Sequence, residues 1–141
     1  MLRVVIDTNI FIRFLMRPSK AVSALIQEYW IQKKIQVVTA SELLVELQEV
    51  LQRKHIQSVV HAAEAEILVA ALLRQAEILP DLTDIPIYSR DRKDDRFVAY
   101  ALFGRADYLV TLDEDLLVLN QIGEVRILTP RQLVTELALD N

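Results

Sequence analysis

Short β-branched or aliphatic runs that end on an acid, alternating with stretches of helical periodicity, constrain this chain more than any other feature. Val4-Val5-Ile6 runs into Asp7, and Leu109-Val110-Thr111-Leu112 runs into Asp113. Strands that alternate with helices predict a mainly parallel sheet covered by helices on both faces, an α/β fold in three layers. In such a sheet the carboxyl ends of the strands converge on one edge, where ligands bind. An acid at a strand exit therefore meets acids from other exits. Crowded carboxylates repel one another unless a proton or a divalent cation lies between them.

The elements follow from periodicity. Residues 2–6 read as a strand. Ser19 to about Lys33 reads as an amphipathic helix with Ala21, Leu25, Ile26 and Tyr29 on one stripe. Residues 35–38 form a second strand, and Thr39-Ala40-Ser41-Glu42 has the form of a capping box opening a helix to about Lys54. Ser58 to Gln75 is Ala-rich and helical, Ile78-Leu79-Pro80 is a short strand, and Ile85-Pro86-Ile87 an irregular approach to an acidic loop. Asp95 to Phe103 is helical, with Gly104 as its C′ residue. Residues 108–112 and 125–128 are strands, and Thr129-Pro130 starts a last helix with an N-cap and Pro at N1. The expectation is one domain over 1–141, without linker or repeat.

Composition narrows the chemistry. The chain has no cysteine, two histidines (His55 and His61) without metal-pair spacing, and two glycines, Gly104 and Gly123. Thiol catalysis, Cys-based zinc sites, Walker loops and dinucleotide fingerprints are excluded. What remains is carboxylate, hydroxyl and basic side chains, a set that favours a hard, oxygen-loving ion such as Mg²⁺ or Mn²⁺. A net charge of −4 argues against general coating of nucleic acid but not against a nuclease, whose acids contribute that charge. No apolar stretch suits a membrane span, and Met1-Leu2-Arg3 leads directly into a strand, so a cytoplasmic location is expected.

Each acid has an ordinary alternative. Asp7 and Asp113 serve equally as Asx-turn or N-cap residues. Glu46 lies at the margin of a stripe made by Leu43, Leu44, Leu47, Val50 and Leu51, where a solvated flank is the commoner outcome, and Glu42 and Glu49 read as surface residues. Asp94 and Asp95 suit the dipole of a helix N-terminus, and the run Asp91 to Asp95 among Arg90, Arg92, Lys93 and Arg96 reads equally as a self-neutralising loop. It is the joint occurrence of four such acids in one small fold that points to a site.

At this level the chain resembles the PIN-domain ribonucleases, in particular the branch of toxins from toxin–antitoxin pairs. The resemblance rests on Ile6-Asp7-Thr8-Asn9, on Ser41 to Leu51 with Glu46, on Arg90-Asp91-Arg92-Lys93-Asp94-Asp95-Arg96-Phe97, and on Ala106 to Leu117 with Asp113 and Asp115. It implies an acidic centre of Asp7, Glu46, Asp94 and Asp113 holding Mg²⁺ or Mn²⁺, with Thr8, Asn9, Asp91 and Asp115 in support. Of the adjacent pair, Asp94 has the spacing to Phe97 and Ala101 that matches the family. Ser89-Arg90-Asp91-Arg92 stands where the branch often has Cys-Arg-Asp-Pro, and Leu112 replaces a frequent glycine. The implied reaction is hydrolysis of single-stranded RNA, with Arg13, Arg17, Lys93 and Arg96 as holders of flanking phosphates or as counter-charges. A cognate antitoxin and a homodimer are the implied protein partners, and Phe11, Phe14, Trp30 and Ile31 are either an interface or core. The rival readings are an aspartate-based phosphatase or phospho-acceptor domain, which wants a Lys after a later strand that is not found after Asp113, and a non-catalytic binding module.

Overall fold

The computed structural model describes residues 1–139; residues 140–141, which the expected domain also spans, lie outside the described residues. Six strands form one sheet: β1 (Leu2–Ile6), β2 (Ile35–Ala40), β3 (Glu77–Leu79), β4 (Tyr108–Val110), β5 (Gln121–Ile122) and β6 (Val125–Leu128). Their order is β3-β2-β1-β4-β6-β5, parallel throughout except for β5 against β6. The chain is an α/β fold with a mostly parallel sheet flanked by helices, as the alternation of patterns predicts. Successive residues of each strand feed opposite faces. Val4, Ile6, Ile35, Val37 and Val110 enter one core, whereas Val5, Val38, Leu109 and Ile127 enter the other.

Helices α1 (Thr8–Met16), α2 (Lys20–Ser23), α3 (Ser41–Leu51), α4 (Lys54–Gln57), α5 (Ala62–Gln75), α6 (Arg92–Phe103), α7 (Glu114–Leu117) and α8 (Pro130–Leu139) connect the strands. Helix α1 has no counterpart in the periodicity reading, although it is amphipathic: Asn9, Arg13 and Met16 are exposed along one side, and Ile10, Phe11, Ile12 and Leu15 are buried on the other. The helix expected over 19–33 is not uniform either. After α2 it widens into a π-helical stretch, Ala24–Trp30, with Ile31 N–H donating to Ile26 O at 2.9 Å. This winding buries the adjacent pairs Leu25/Ile26 and Tyr29/Trp30 together. Trp30 and Phe11 meet edge-on inside the core, 6.0 Å between ring centroids, so core packing accounts for both. Of the four apolar candidates for an interface, only Ile31 is exposed.

Two caps differ from expectation. β2 runs through Ala40, so Thr39 is still a strand residue and no capping box forms at 39–42; Asp81 Oδ1 accepts from the Glu42 amide at 2.9 Å instead. The reciprocal box forms at the start of α8. Thr129 Oγ1 accepts from Gln132 N at 3.1 Å, and Gln132 Oε1 from Thr129 N at 2.9 Å. Gly104 ends α6 with φ −81°, and Arg105 takes the left-handed conformation at φ 53°. Gly104 is required for space rather than for dihedral freedom: a Cβ there would lie 2.8 Å from Leu79 Cδ1 and 2.9 Å from Val38 Cγ1.

Candidate metal centre

The sheet order reverses at β1: the chain moves from β1 outward to β2 and β3, then crosses back to β4 on the other side. The crevice between the carboxyl ends of β1 and β4 is the switch point of the fold. Asp7 leaves β1 there. It caps α1, accepts from the Asn9 amide at 3.2 Å through Oδ1, and accepts from the Thr111 hydroxyl at 2.8 Å through Oδ2. Asp113 follows β4, caps α7 and accepts from the Asp115 amide at 2.9 Å. Both acids thus have the capping duty that each ordinary reading supplies, and both face the crevice.

Asp94 arrives from the first turn of α6. Ligand oxygens of Asp94, Asp113 and Asp115 lie within 4.8 Å of one another. Asp94 is 8% exposed, and its Oδ2 has no hydrogen-bond partner. Burial first, then a proton shared with Asp113 and the charges of Asp113, Asp91 and Asp7, raise its carboxyl to about 7. Burial likewise raises Asp7. The bonds from Thr111 and Asn9 oppose that rise, while the charges of Asp113 and Glu46 add to it. The neighbouring Asp95 behaves in the opposite way. Burial alone would raise it, but Ser89 Oγ at 2.8 Å and the amides of Tyr88 at 3.0 Å and Ser89 at 2.7 Å pull it below the ordinary value. Asp95 thus fastens the loop, and Asp94 faces the acids.

Thr111 is the site residue that sequence reasoning missed. Its fully buried hydroxyl donates to Asp7 and accepts from the Asp113 amide at 3.0 Å, joining the two strand exits. The available signal was its position two residues before Asp113, in register with the end of β1. Among the described residues no hydrogen bond joins the Thr8 hydroxyl to the acids, and Asn9 contributes its backbone N–H. Asp91 is exposed and caps α6 through the Lys93 amide at 2.9 Å. Glu46 lies half-buried on α3, bonded to Arg96 at 2.6 Å. Arg96 is therefore a counter-charge here and not a free cation. Glu42, read as a surface residue, is half-buried and bonded to Arg96 and Tyr100.

A cleft of about 510 Å³ opens beside the acids, lined by Asp7, Asn9, Ile12, Arg13, Arg17 and Asp113 among others. Arg13, on α1, and Arg17, just beyond its end, are exposed, and neither forms an ion pair among the described residues. Lys93 is exposed on the α6 side. The donor set at the centre is all oxygen, and one of those oxygens is buried without a partner. Both facts fit a hard divalent cation.

Fold and site together define an α/β domain built around carboxylates at the switch point of a parallel sheet. Residues 3–115 match the family model described as PIN domain. The chain belongs to the PIN-domain family, whose members are typically metal-dependent nucleases with acidic active sites. No curated protein matches it. Among the described residues no helix is long and apolar enough to cross a membrane.

Proposed function

We propose that this chain is a divalent-metal-dependent ribonuclease that hydrolyses phosphodiester bonds of single-stranded RNA, and that it is the toxin of a toxin–antitoxin pair. The observation that carries the catalytic reading is the unpartnered, buried Asp94 Oδ2 beside Asp113 and Asp115. Asp7, Glu46, Asp94 and Asp113 would hold Mg²⁺ or Mn²⁺, with Asp91 and Asp115 in support, Asp115 through an oxygen that clusters with those of Asp94 and Asp113. When bound, such an ion stabilises charge on phosphoryl oxygens and lowers the pKa of water.

The chain's own residues do the rest. Thr111 and the Asn9 amide fix the direction of the Asp7 carboxylate. Asp113 is held by the amide of Asp115, so two acids keep their orientation without a ligand. Arg13 and Arg17 bring positive charge to the cleft wall for flanking phosphates, and Lys93, exposed in the first turn of α6 next to Asp94, is assigned the same task; such contacts set register and carry no sequence information. A cleft with two arginines, in a chain of net charge −4, suits a single strand better than a duplex, which calls for a broad basic surface.

The toxin role and the antitoxin rest on the resemblance, the homodimer on the apolar residues named above, and the cytoplasmic location on the reading of the apolar segments. The test is cleavage of a single-stranded RNA with Mg²⁺, with Mn²⁺ and with chelator, beside Asp7→Asn and Asp113→Asn. Metal-dependent cleavage lost in both variants is expected. Activity that persists in chelator or in both variants refutes the mechanism. Growth arrest on expression, abolished by Asp113→Asn, tests the toxin role.

A further inference from the structure

Four side chains between α3 and α6 form a chain of contacts that ends at Glu46. Tyr100, fully buried, donates its hydroxyl to Glu42 and accepts from the Leu82 amide at 3.0 Å. The Arg96 guanidinium donates to Glu42 Oε1 at 3.3 Å and to Glu46 Oε2 at 2.6 Å, while its Nε reaches the Lys93 carbonyl oxygen at 3.4 Å. Glu42 and Glu46 are four residues apart on α3, so a single guanidinium spans one full turn of that helix. Arg96 is two residues beyond Asp94 on α6, about 200° around the helix, so the two side chains leave different faces.

The arrangement divides the two carboxylates by what holds them. Glu42 has a second anchor in Tyr100, deep in the protein. Among the described residues Glu46 has hydrogen bonds only from Arg96, and its charge is felt at Asp7. If Glu46 turns toward the acid centre, Arg96 stays paired with Glu42, and no half-buried charge is left uncompensated. The exchange is therefore inexpensive in one direction only: Glu46 leaves, Glu42 stays.

The geometry points to Arg96 as a positioning residue that holds Glu46 against α3, so that this carboxylate reaches a divalent ion at the Asp94–Asp113–Asp115 cluster only in exchange for its ion pair. Arg96 thereby sets the ion affinity of the site. The inference rests on the metal-centre reading given above and adds to it the identity of the competing cation.

Calorimetric titration of Mn²⁺ into the metal-stripped full-length protein tests this, using wild type, Arg96→Gln, Glu46→Gln and the double variant at low ionic strength. Arg96→Gln is expected to tighten Mn²⁺ binding about five-fold, the upper range for a partly exposed ion pair. In the Glu46→Gln background the same change is expected to have less than about a two-fold effect, because the competing partner is gone. Unchanged or weaker binding in Arg96→Gln overturns the inference. An equal gain in both backgrounds also overturns it, because that reports charge at a distance and not exchange of Glu46. Should Arg96→Gln fail to fold, Glu42→Gln carries the test with opposite sign: it leaves Arg96 wholly to Glu46, so weaker binding supports the inference and unchanged or tighter binding overturns it. A wild type that takes up no Mn²⁺ removes the metal centre itself and this inference with it. A wild type that binds but shows no response at Arg96 removes the inference alone.

Discussion

Replacing Asp94 by Asn should stabilise the metal-free protein, and the gain should depend on pH in a defined direction. The Asp94 carboxyl stands at about 7 in the fold against an ordinary 3.8. The folded state therefore holds a proton that the unfolded chain has released over that interval. Stability contributed by this group is fully present below the unfolded value and is lost as pH rises toward 7. At about 1.4 kcal/mol per pH unit the loss has a ceiling of about 4 kcal/mol. Coupling to Asp113 and the favourable dipole at the start of α6, about 0.3–1 kcal/mol, bring the expected gain for Asp94→Asn to about 2 kcal/mol. For a chain of 141 residues this corresponds to a rise in Tm of roughly 6–8 °C. Calorimetric melts in chelator from pH 4 to pH 8 should show no gain near pH 4 and the full gain above pH 7. Mn²⁺ at about 100 times its Kd should then raise the wild type by about 2.7 kcal/mol and leave the variant behind. A variant less stable than wild type at pH 8 in chelator would refute the reasoning, because the carboxylate would then be serving the helix terminus and not opposing its neighbours.

Thr111→Val keeps the shape of a fully buried side chain but removes the hydroxyl between Asp7 and the Asp113 amide; a loss of about 1–3 kcal/mol is expected in urea denaturation. Asp95→Asn should cost about 1–3 kcal/mol at pH 7, since Asp95 accepts three bonds from the 88–89 loop and loses half its acceptor strength. Because the folded-state value of Asp95 is depressed, that difference is present above the ordinary carboxylate range and fades as pH falls through the folded value, the reverse of Asp94. Gly104→Ala places a methyl 2.8 Å from Leu79 Cδ1, so thermal melts should show a loss of about 1–3 kcal/mol from overpacking.

The fold was legible where one periodicity dominates. The parallel strands read at 2–6, 35–38 and 125–128 are short, largely apolar runs whose two faces are both covered, and such runs announce themselves without structure. Helix α1 was not read, although Asn9, Arg13 and Met16 lie exposed at helical spacing, because its nine residues follow the β1 run directly and Asp7 serves both as strand exit and as N-cap. The strand β5 consists of two residues, returned by Gly123 at φ 57° and paired antiparallel with β6; nothing so short carries a period. The capping box at 39–42 was misplaced for a geometric reason. A motif of four residues is read in register with its neighbours, and β2 extended two residues further than its apolar run.

At the site, the strand-exit acids were legible from their position in the chain, but the division of labour between neighbours was not. Asp94 and Asp95 have the same chemistry and adjacent places on α6. A rotation of about 100° per residue turns one toward Asp113 and the other toward the amides of Tyr88 and Ser89. The same holds for Glu42 and Glu46, which share a face of α3 and differ only in depth, one reaching Tyr100 and the other reaching only Arg96. Counting charges along the chain cannot separate such pairs, because the distinction is made by hydrogen-bond donors that arrive from other segments. Where those donors are present, as at Asp95, a buried carboxylate is stable as an anion and has structural work. Asp94 lacks them, and its carboxylate becomes stable as an anion only when something positive comes in from outside. The Oδ2 of each aspartate is buried without a hydrogen-bond partner, so the asymmetry lies in the three donors at Asp95 Oδ1. It is this difference, and not the number of acids, that supports the reading of this edge of the sheet as a place for a cation.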